Sequence, residues 1–589
     1  MAKQLQKLEL TWIGKGNEPK LEPRILIEDP NKSFGDPKSE NMLIHGDNLL
    51  ALKALEQDYA AKIKCIYIDP PFNTGAAFEH YDDGVEHSLW LDLMSRRFNI
   101  LHKLLRNDGV IFVHLDDNEA AYCKILLDDI FGRSNYINHI INATNKPFGF
   151  KSTSSGLFKQ ANHIFFYAKN KSDFEINGTK LFIEKGYDPQ YKYIFLNPDM
   201  PRDEWQWDTI QNVLSKELGY KTSLEAKKNE SDFENQIAMF AIENANYVFR
   251  TASVSGGAYL KRKETIIKSK GIKNKIITHP NDDMDYLFIG GERVLFYKER
   301  LKTIEGNLLP GDLITDIWSD ISIEGLANEG GVDFPKGKKP EKLIERCIEM
   351  STKKGDIILD SFLGSGTTAA VAHKLKRKWI GVELGDQVNT HCLPRLKNVV
   401  NGEQSGISKS VNWKGGGGFK FYTLAPSLVQ KDIYGTEIIN PQYNANMLAA
   451  AMAKQEGFRY QPDENNYWKQ GMSSEKDFIF TTTQFVTVAM LDKLTEELKP
   501  GESLLVCCKS FAKGCANRHT NITIKKIPQM LLGRCEFGKD DYSFNIVNLP
   551  HNDDTDIEIE DSEESEAPKT EKKNKAKKEK DDDSQSLLF

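Results

Sequence analysis

Apolar stretches that read as buried strands alternate with helices of one-sided hydrophobicity in two separated blocks of this chain, residues 41 to 168 and 341 to 384. A buried strand, a covering helix and a further strand, repeated, predict a parallel, doubly wound α/β sheet, and such sheets hold ligands at the carboxyl ends of their strands. In the first block, MLIHGDNLLALKAL (42 to 55) gives a strand and then a helix with Leu49, Leu52 and Leu55 at helical spacing. IKCIYI (63 to 68), VIFVHL (110 to 115) and HIFFYAK (163 to 169) read as further strands, and LWLDLMSRRFNILHKLLR (89 to 106) as one face of a long helix. The second block places a strand at Ile357 to Asp360, a helix at Thr368 to Leu375 and a second strand ending at Glu383.

At 589 residues the chain is too long for one core and predicts about three or four domains. It has no apolar run of the roughly 18 residues that a membrane span needs, and its start lacks a signal-peptide stretch, so a cytoplasmic protein without a membrane partner is expected. The eight cysteines mostly sit singly in apolar surroundings, as reduced core residues do. Cys507, Cys508, Cys515 and Cys535 lack the paired CxxC spacing of a zinc site, and no metal is expected. Residues 551 to 589 hold 14 Asp and Glu against 7 Lys, so this tail accounts for the whole net charge of −7 and the remainder is balanced.

Two strand ends carry chemistry. In IYIDPPFNTG (66 to 75) an apolar strand gives way to a carboxylate, two prolines and an aromatic ring. Pro70 and Pro71 remove two backbone donors and fix φ, so the loop is stiff and holds Asp69 and Phe72 at set positions, a rigid clamp for something flat and polar. In KGDIILDSFLGSGTTAAVAHKLKRKWIGVEL (354 to 384) the strand runs into a glycine turn. There Gly364 and Gly366 let a ligand approach the backbone, and Glu383 after the second strand can accept from ribose hydroxyls. Thr367 follows Gly366 where a P-loop needs Lys, and the turn departs from GxGxxG, which suggests a nucleoside-like ligand.

Asp69-Pro70-Pro71-Phe72 and the turn Phe362-Leu363-Gly364-Ser365-Gly366-Thr367-Thr368 together resemble the paired signatures of the amino-group DNA methyltransferases, which use S-adenosylmethionine. The clamp precedes the cofactor turn, as in the circularly permuted β class. HGDNLLALKAL before the clamp and WKGGGGFKFYTL at 413 to 424 are similar to modification subunits of type III restriction-modification systems. Ser361 stands where the family commonly has proline.

The resemblance implies a circularly permuted Rossmann-like methyltransferase sheet that transfers a methyl group from S-adenosylmethionine to N6 of a flipped-out adenine. Asp69 and the Pro70 carbonyl would accept from the exocyclic amine, Pro71 would stiffen the clamp and Phe72 would stack on the base. It implies cofactor roles for Asp47, Lys339, Asp360, Phe362, Gly364, Ser365, Gly366, Thr367, Thr368 and Glu383. The alternative for Asp47, which ranks behind the cofactor role, is a helix cap, and that for Lys339-Pro340 is helix-start punctuation. The partners implied are double-stranded DNA, a second copy of the chain and a separate helicase-nuclease restriction subunit. N4-cytosine methylation and a DNA-binding specificity subunit with a vestigial site stand as alternatives.

The expected organisation is an N-terminal extension (1–40), a catalytic half (41–170), a target-recognition insert (171–331), a cofactor half (332–405), a C-terminal α/β assembly domain (406–550) and a charged tail (551–589). In the insert, Trp205, Trp207 and Trp318 suit groove contacts. A basic run containing Arg250, Lys261, Arg262, Lys263, Lys268, Lys270, Lys273 and Lys275 suits DNA phosphates, although solvated surface is the commoner fate of such runs. The tail is too polar to fold, yet it ends Gln585-Ser586-Leu587-Leu588-Phe589, which resembles the peptide by which bacterial replication and repair proteins bind the sliding clamp.

Overall fold

Both blocks contribute strands to one central sheet. The computed structural model describes residues 9–71, 83–143, 157, 159–272, 274–280, 286–304, 307–323, 325–334 and 337–542; Phe72, Lys273 and the tail with Gln585 to Phe589 lie outside the described residues. The sheet contains β1 (Leu26–Glu28), β2 (Met42–His45), β3 (Ile63–Ile68), β4 (Leu105–Leu115), β5 (Tyr136–Ala143), β6 (Ala161–Ala168), β7 (Ile317–Trp318), β8 (Ile357–Asp360), β9 (Lys378–Glu383) and β10 (Gly418–Leu424). Across the sheet they lie in the order β1-β10-β2-β9-β8-β3-β4-β6-β5-β7. From β10 to β4 all neighbours are parallel. Strands 300 residues apart in the chain thus pair side by side, with β8 and β9 seated between β2 and β3, which is the circularly permuted Rossmann-like sheet.

The apolar runs explain this placement. A parallel strand covered on both faces must be apolar at every position, and β3 is buried from Ile63 to Ile68. On one face, α1 (Asn48–Tyr59) and α2 (Asp83–Leu104) pack through Leu49, Leu52, Leu55, Trp90, Met94, Phe98 and Leu101. On the other, α3 (Glu341–Ser351), α4 (Thr367–Lys374) and α5 (Leu393–Val400) pack through Leu343, Ile344, Ala370, Val371 and Leu396.

The structure differs from the sequence reading in four respects. The sheet is not wholly parallel, because β6 runs antiparallel to both β4 and β5. Strand β5 escaped the sequence reading because Asn138, His139 and Asn142 interrupt its apolar pattern. The N-terminal extension is not a mere lead-in: β1 pairs with β10 and extends the sheet's edge. Strands β10 and β7 also belong to this sheet, although they fall beyond residue 405 and within the insert. The rest of the insert carries a six-stranded sheet of its own between Tyr193 and Phe296, and a five-stranded sheet follows between Arg459 and Lys526. Cys507, Cys508 and Cys515 are buried in the packing of the latter. Among the described residues no helix is long and apolar enough to cross a membrane, and no group of three or more side chains could hold a metal.

A buried ionic cluster ties α3, α4 and α5 together. Glu341 accepts from Lys374 at 2.6 Å and Arg395 at 2.9 Å, all three side chains being fully buried, and Lys374 also pairs with Glu403. Removing one member leaves buried charge uncompensated, which costs about 3–5 kcal/mol. Glu341→Ala should therefore lower the melting temperature by roughly 10 °C, against almost no change for exposed Lys342→Ala. Equal melting curves for the two variants would contradict this account of the cluster.

Candidate active site

Parallel pairing brings the carboxyl ends of β2, β3, β8 and β9 to one edge, where Asp47, Asp69, Asp360 and Glu383 stand. Asp360 accepts from the Phe362 N–H at 2.9 Å, and burial pushes its carboxyl up to about 7, the nearby charges of Asp69 and Glu383 adding to the rise and the Thr368 hydroxyl opposing it. Burial likewise raises Glu383, which is nonetheless well supplied with donors. Its Oε1 accepts from the Leu384 and Gly385 N–H groups (2.9 and 3.1 Å) and the Gln387 amide (2.9 Å), and its Oε2 accepts from the Gly364 N–H at 2.7 Å. One lone pair of Oε2 is left for a ribose hydroxyl.

The glycine turn is held from behind. Arg395 donates to the Thr367 hydroxyl at 2.7 Å and approaches the Ser365 hydroxyl at 3.4 Å, while Cys392 Sγ meets the Gly364 carbonyl at 3.0 Å. Ser365, Thr367 and Thr368 are thus buried with their hydroxyls bonded within the protein, so these side chains shape the turn from beneath. Arg395 lies in a helix with no motif, so nothing in the sequence flagged it. Gly364 has φ of +56°, and a Cβ there would meet nothing nearer than the Phe362 carbonyl at 4.0 Å, so the space before it is open. Phe362 packs on the core beside the turn.

Two expected cofactor residues are otherwise engaged. Asp47 caps α1: its Oδ1 accepts from the Leu50 N–H at 3.0 Å, and its Oδ2 accepts from the Tyr542 N–H at 2.9 Å and lies 3.6 Å from Arg97. The capping reading of Asp47 is therefore the one the structure supports. Lys339 lies just before α3, and its ammonium is bonded to Asp69 Oδ2.

Asp69 itself is largely buried, its side chain 12 % exposed. Burial raises its carboxyl and the Lys339 charge lowers it. Among the described residues its Oδ1 is buried without a hydrogen-bond partner. Behind it the Pro71 carbonyl accepts from Trp90 Nε1 at 3.0 Å, which anchors the clamp to α2.

The basic run forms a helix, Gly256–Gly271, in the insert. Lys261 and Lys263 are exposed. Arg262 is buried and stacks on the Tyr286 ring at 3.6 Å, a correction to its expected phosphate contact that follows from helical periodicity. Arg250 is half-buried, bonded to Gln190 and lying over the Tyr191 ring at 5.3 Å. Of the tryptophans, Trp318 is buried, and Trp205 and Trp207 are half-buried and pack on Phe195.

Sheet order, permuted connectivity and strand-end carboxylates beside an open glycine turn define a Rossmann-like methyltransferase. The chain belongs to the DNA methylase family of N6 and N4 type, whose model matches residues 63–390. It is 36% identical over 424 residues to a probable type III restriction-modification enzyme HindVI Mod subunit of Haemophilus influenzae, covering 67% of this chain and 55% of that protein. It is 28% identical over 438 residues to the type III restriction-modification enzyme EcoPI Mod subunit of Escherichia phage P1, with 63% and 62% covered. The EcoP15I Mod subunit of Escherichia coli is 27% identical over 495 residues, with 72% of each chain covered. The match thus spans little more than half the length of the first of these relatives.

The residues fit S-adenosylmethionine, a cation rich in hydrogen-bond donors. Buried carboxyls with raised proton affinity stand beside a glycine whose Cβ position is open, so a ligand can approach its backbone. Gly364→Leu would fill that space and strain a positive φ, so calorimetry should find S-adenosylmethionine binding lost while the melting temperature changes little. Unchanged affinity would remove Gly364 from the site.

Proposed function

We propose that this chain is a site-specific DNA methyltransferase acting on the N6 amine of adenine, as the modification and specificity subunit of a type III-like restriction-modification system. The observation that carries the reading is the buried Asp69 Oδ1, which has no hydrogen-bond partner among the described residues and is held by a proline-stiffened clamp on the same sheet edge as the glycine turn.

Adenine's exocyclic amine is a poor nucleophile because its lone pair is delocalised into the ring. Acceptors that bind its protons draw the nitrogen toward tetrahedral geometry. Asp69 and the Pro70 carbonyl fill this role. Burial raises the Asp69 carboxyl, and the Lys339 charge opposes that rise and so favours the carboxylate form that accepts. The base reaches them only after rotating out of the duplex, at a cost of about a few kcal/mol. Glu383, Asp360 and the Gly364 turn hold S-adenosylmethionine, which supplies an electrophilic methyl group when bound. An Asp at the head of the clamp, in place of Ser, supports adenine over the N4 of cytosine.

The Mod names of the relatives support a separate restriction subunit. A homodimer, the assembly role of the C-terminal domain and clamp docking through Gln585 to Phe589 rest on sequence resemblance alone. Co-purification with tagged full-length chain tests these partners, and recovery of the chain as a lone monomer would remove them.

Asp69→Ala should lower transfer of labelled methyl groups to DNA by about 10³-fold or more, with S-adenosylmethionine affinity held within a few fold. Near-normal transfer would refute the assignment, and label recovered in N4-methylcytosine would favour the alternative base.

Lys261 and Lys263 are the exposed members of the basic helix to test against phosphate. Lys261→Glu with Lys263→Glu should weaken DNA binding for all sequences and flatten its salt dependence by about 0.9 log-log units for each phosphate that is no longer neutralised. An unaltered slope would leave this helix as solvated surface.

A further inference from the structure

The mechanism above uses Asp69 but leaves its neighbour on the next strand, His114, without a task. The β3–β4 register ends with Ile68 paired to Val113, and Asp69 and His114 are the residues that follow that pair in the two segments. Side chains alternate along each strand, so Asp69 shares the sheet face of Cys65 and Tyr67, and His114 that of Val110 and Phe112. Cys65, Tyr67, Val110 and Phe112 all pack in one cluster, against the face that α3 covers. Lys339, just before α3, reaches over the same face to Asp69, and its charge disfavours protonation of His114.

His114 is fully buried, and burial holds its imidazole neutral. Its Nδ1 lies 2.7 Å from the Tyr67 hydroxyl. If the hydroxyl donates to Nδ1, the ring proton sits on Nε2. Among the described residues Nε2 is buried without a partner. With that tautomer, and among the described residues, one face beside the clamp carries two unsatisfied buried groups of opposite kind, an acceptor at Asp69 Oδ1 and a donor at His114 Nε2. Buried polar groups left unpaired destabilise a protein, and such groups in a native fold call for a ligand or another explanation.

Building on the proposed function, we infer that Asp69 and His114 together read the edge of the flipped base. Asp69 accepts from the exocyclic amine, while His114 Nε2–H donates to one of the two ring nitrogens flanking it, N1 or N7. Tyr67 is a positioning residue that fixes the imidazole tautomer. The pair suits a base with an amine beside an unprotonated ring nitrogen. It disfavours thymine, whose ring nitrogen beside a carbonyl carries a proton and whose carbonyl would face Asp69.

The test uses the full-length protein and duplexes containing the site that it methylates, with the target adenine kept or replaced by 1-deazaadenine or 7-deazaadenine. The wild-type protein should lose about 10- to 100-fold in kcat/KM on one of the two analogues. His114→Leu should lose a similar factor on adenine and then no longer distinguish adenine from that analogue. Tyr67→Phe, which keeps the packing and frees the tautomer, should show a smaller loss of the same discrimination. Unchanged S-adenosylmethionine affinity in both variants is expected alongside, with a modest fall in melting temperature of similar size in both from the broken Tyr67–His114 bond. If wild-type protein treats adenine and both analogues alike, or His114→Leu keeps the full discrimination, the inference fails while methyl transfer by wild type still stands. No transfer to adenine by wild type would overturn the proposed function and this inference with it.

Discussion

Lys339 and Asp69 are 270 residues apart in the chain and form one ion pair at the edge of the sheet. Asp69 belongs to the half that carries the clamp, and Lys339 leads into the half that carries the glycine turn. Burial alone would drive the Asp69 carboxyl toward its neutral form, and a protonated carboxyl has lost most of its power to accept. The Lys339 charge opposes that effect in part. The pair thus links the clamp to the other half, whose α3 begins two residues after Lys339.

The parallel sheet supplies the precision that this pairing needs. Strands β8 and β9 must sit between β2 and β3 for their carboxyl ends to face the clamp, and the register there is set by apolar positions buried on both faces. Beneath the turn, the Glu341–Lys374–Arg395 cluster fixes the Ser365 and Thr367 hydroxyls from the protein side. The turn's backbone is then presented outward on a rigid base. Beside Gly364 stand Glu383 and Asp360, buried carboxyls whose raised proton affinity favours a cationic, donor-rich molecule.

Much of this was legible in the sequence because apolar periodicity and glycine position are local properties. Ile357 to Asp360 and the strand ending at Glu383 appeared as predicted, the helix after the glycine turn lay within a residue, and the long helix read from residue 89 begins at Asp83. What could not be read is set by distant partners. The roles of Asp47 and Lys339 were ambiguous because capping and ligand binding call for the same residue types, and only Tyr542, Arg97 and Asp69 resolve them. Arg262 looked like its basic neighbours until helical phase turned it inward onto Tyr286. Strand β5 was hidden by polar residues in an antiparallel hairpin, and β1 and β10 by the short or distant segments that encode them. His114 sat in plain view in VIFVHL, but its importance rests on a neighbouring strand.

The central claim is that the two halves assemble one base-modifying centre. Modification mapping of genomic DNA from a methylation-deficient host expressing the full chain tests it most directly. The account predicts N6-methyladenine at a single defined sequence, absent from cells with the empty vector. DNA free of new modification, or bearing N4-methylcytosine in its place, would contradict it.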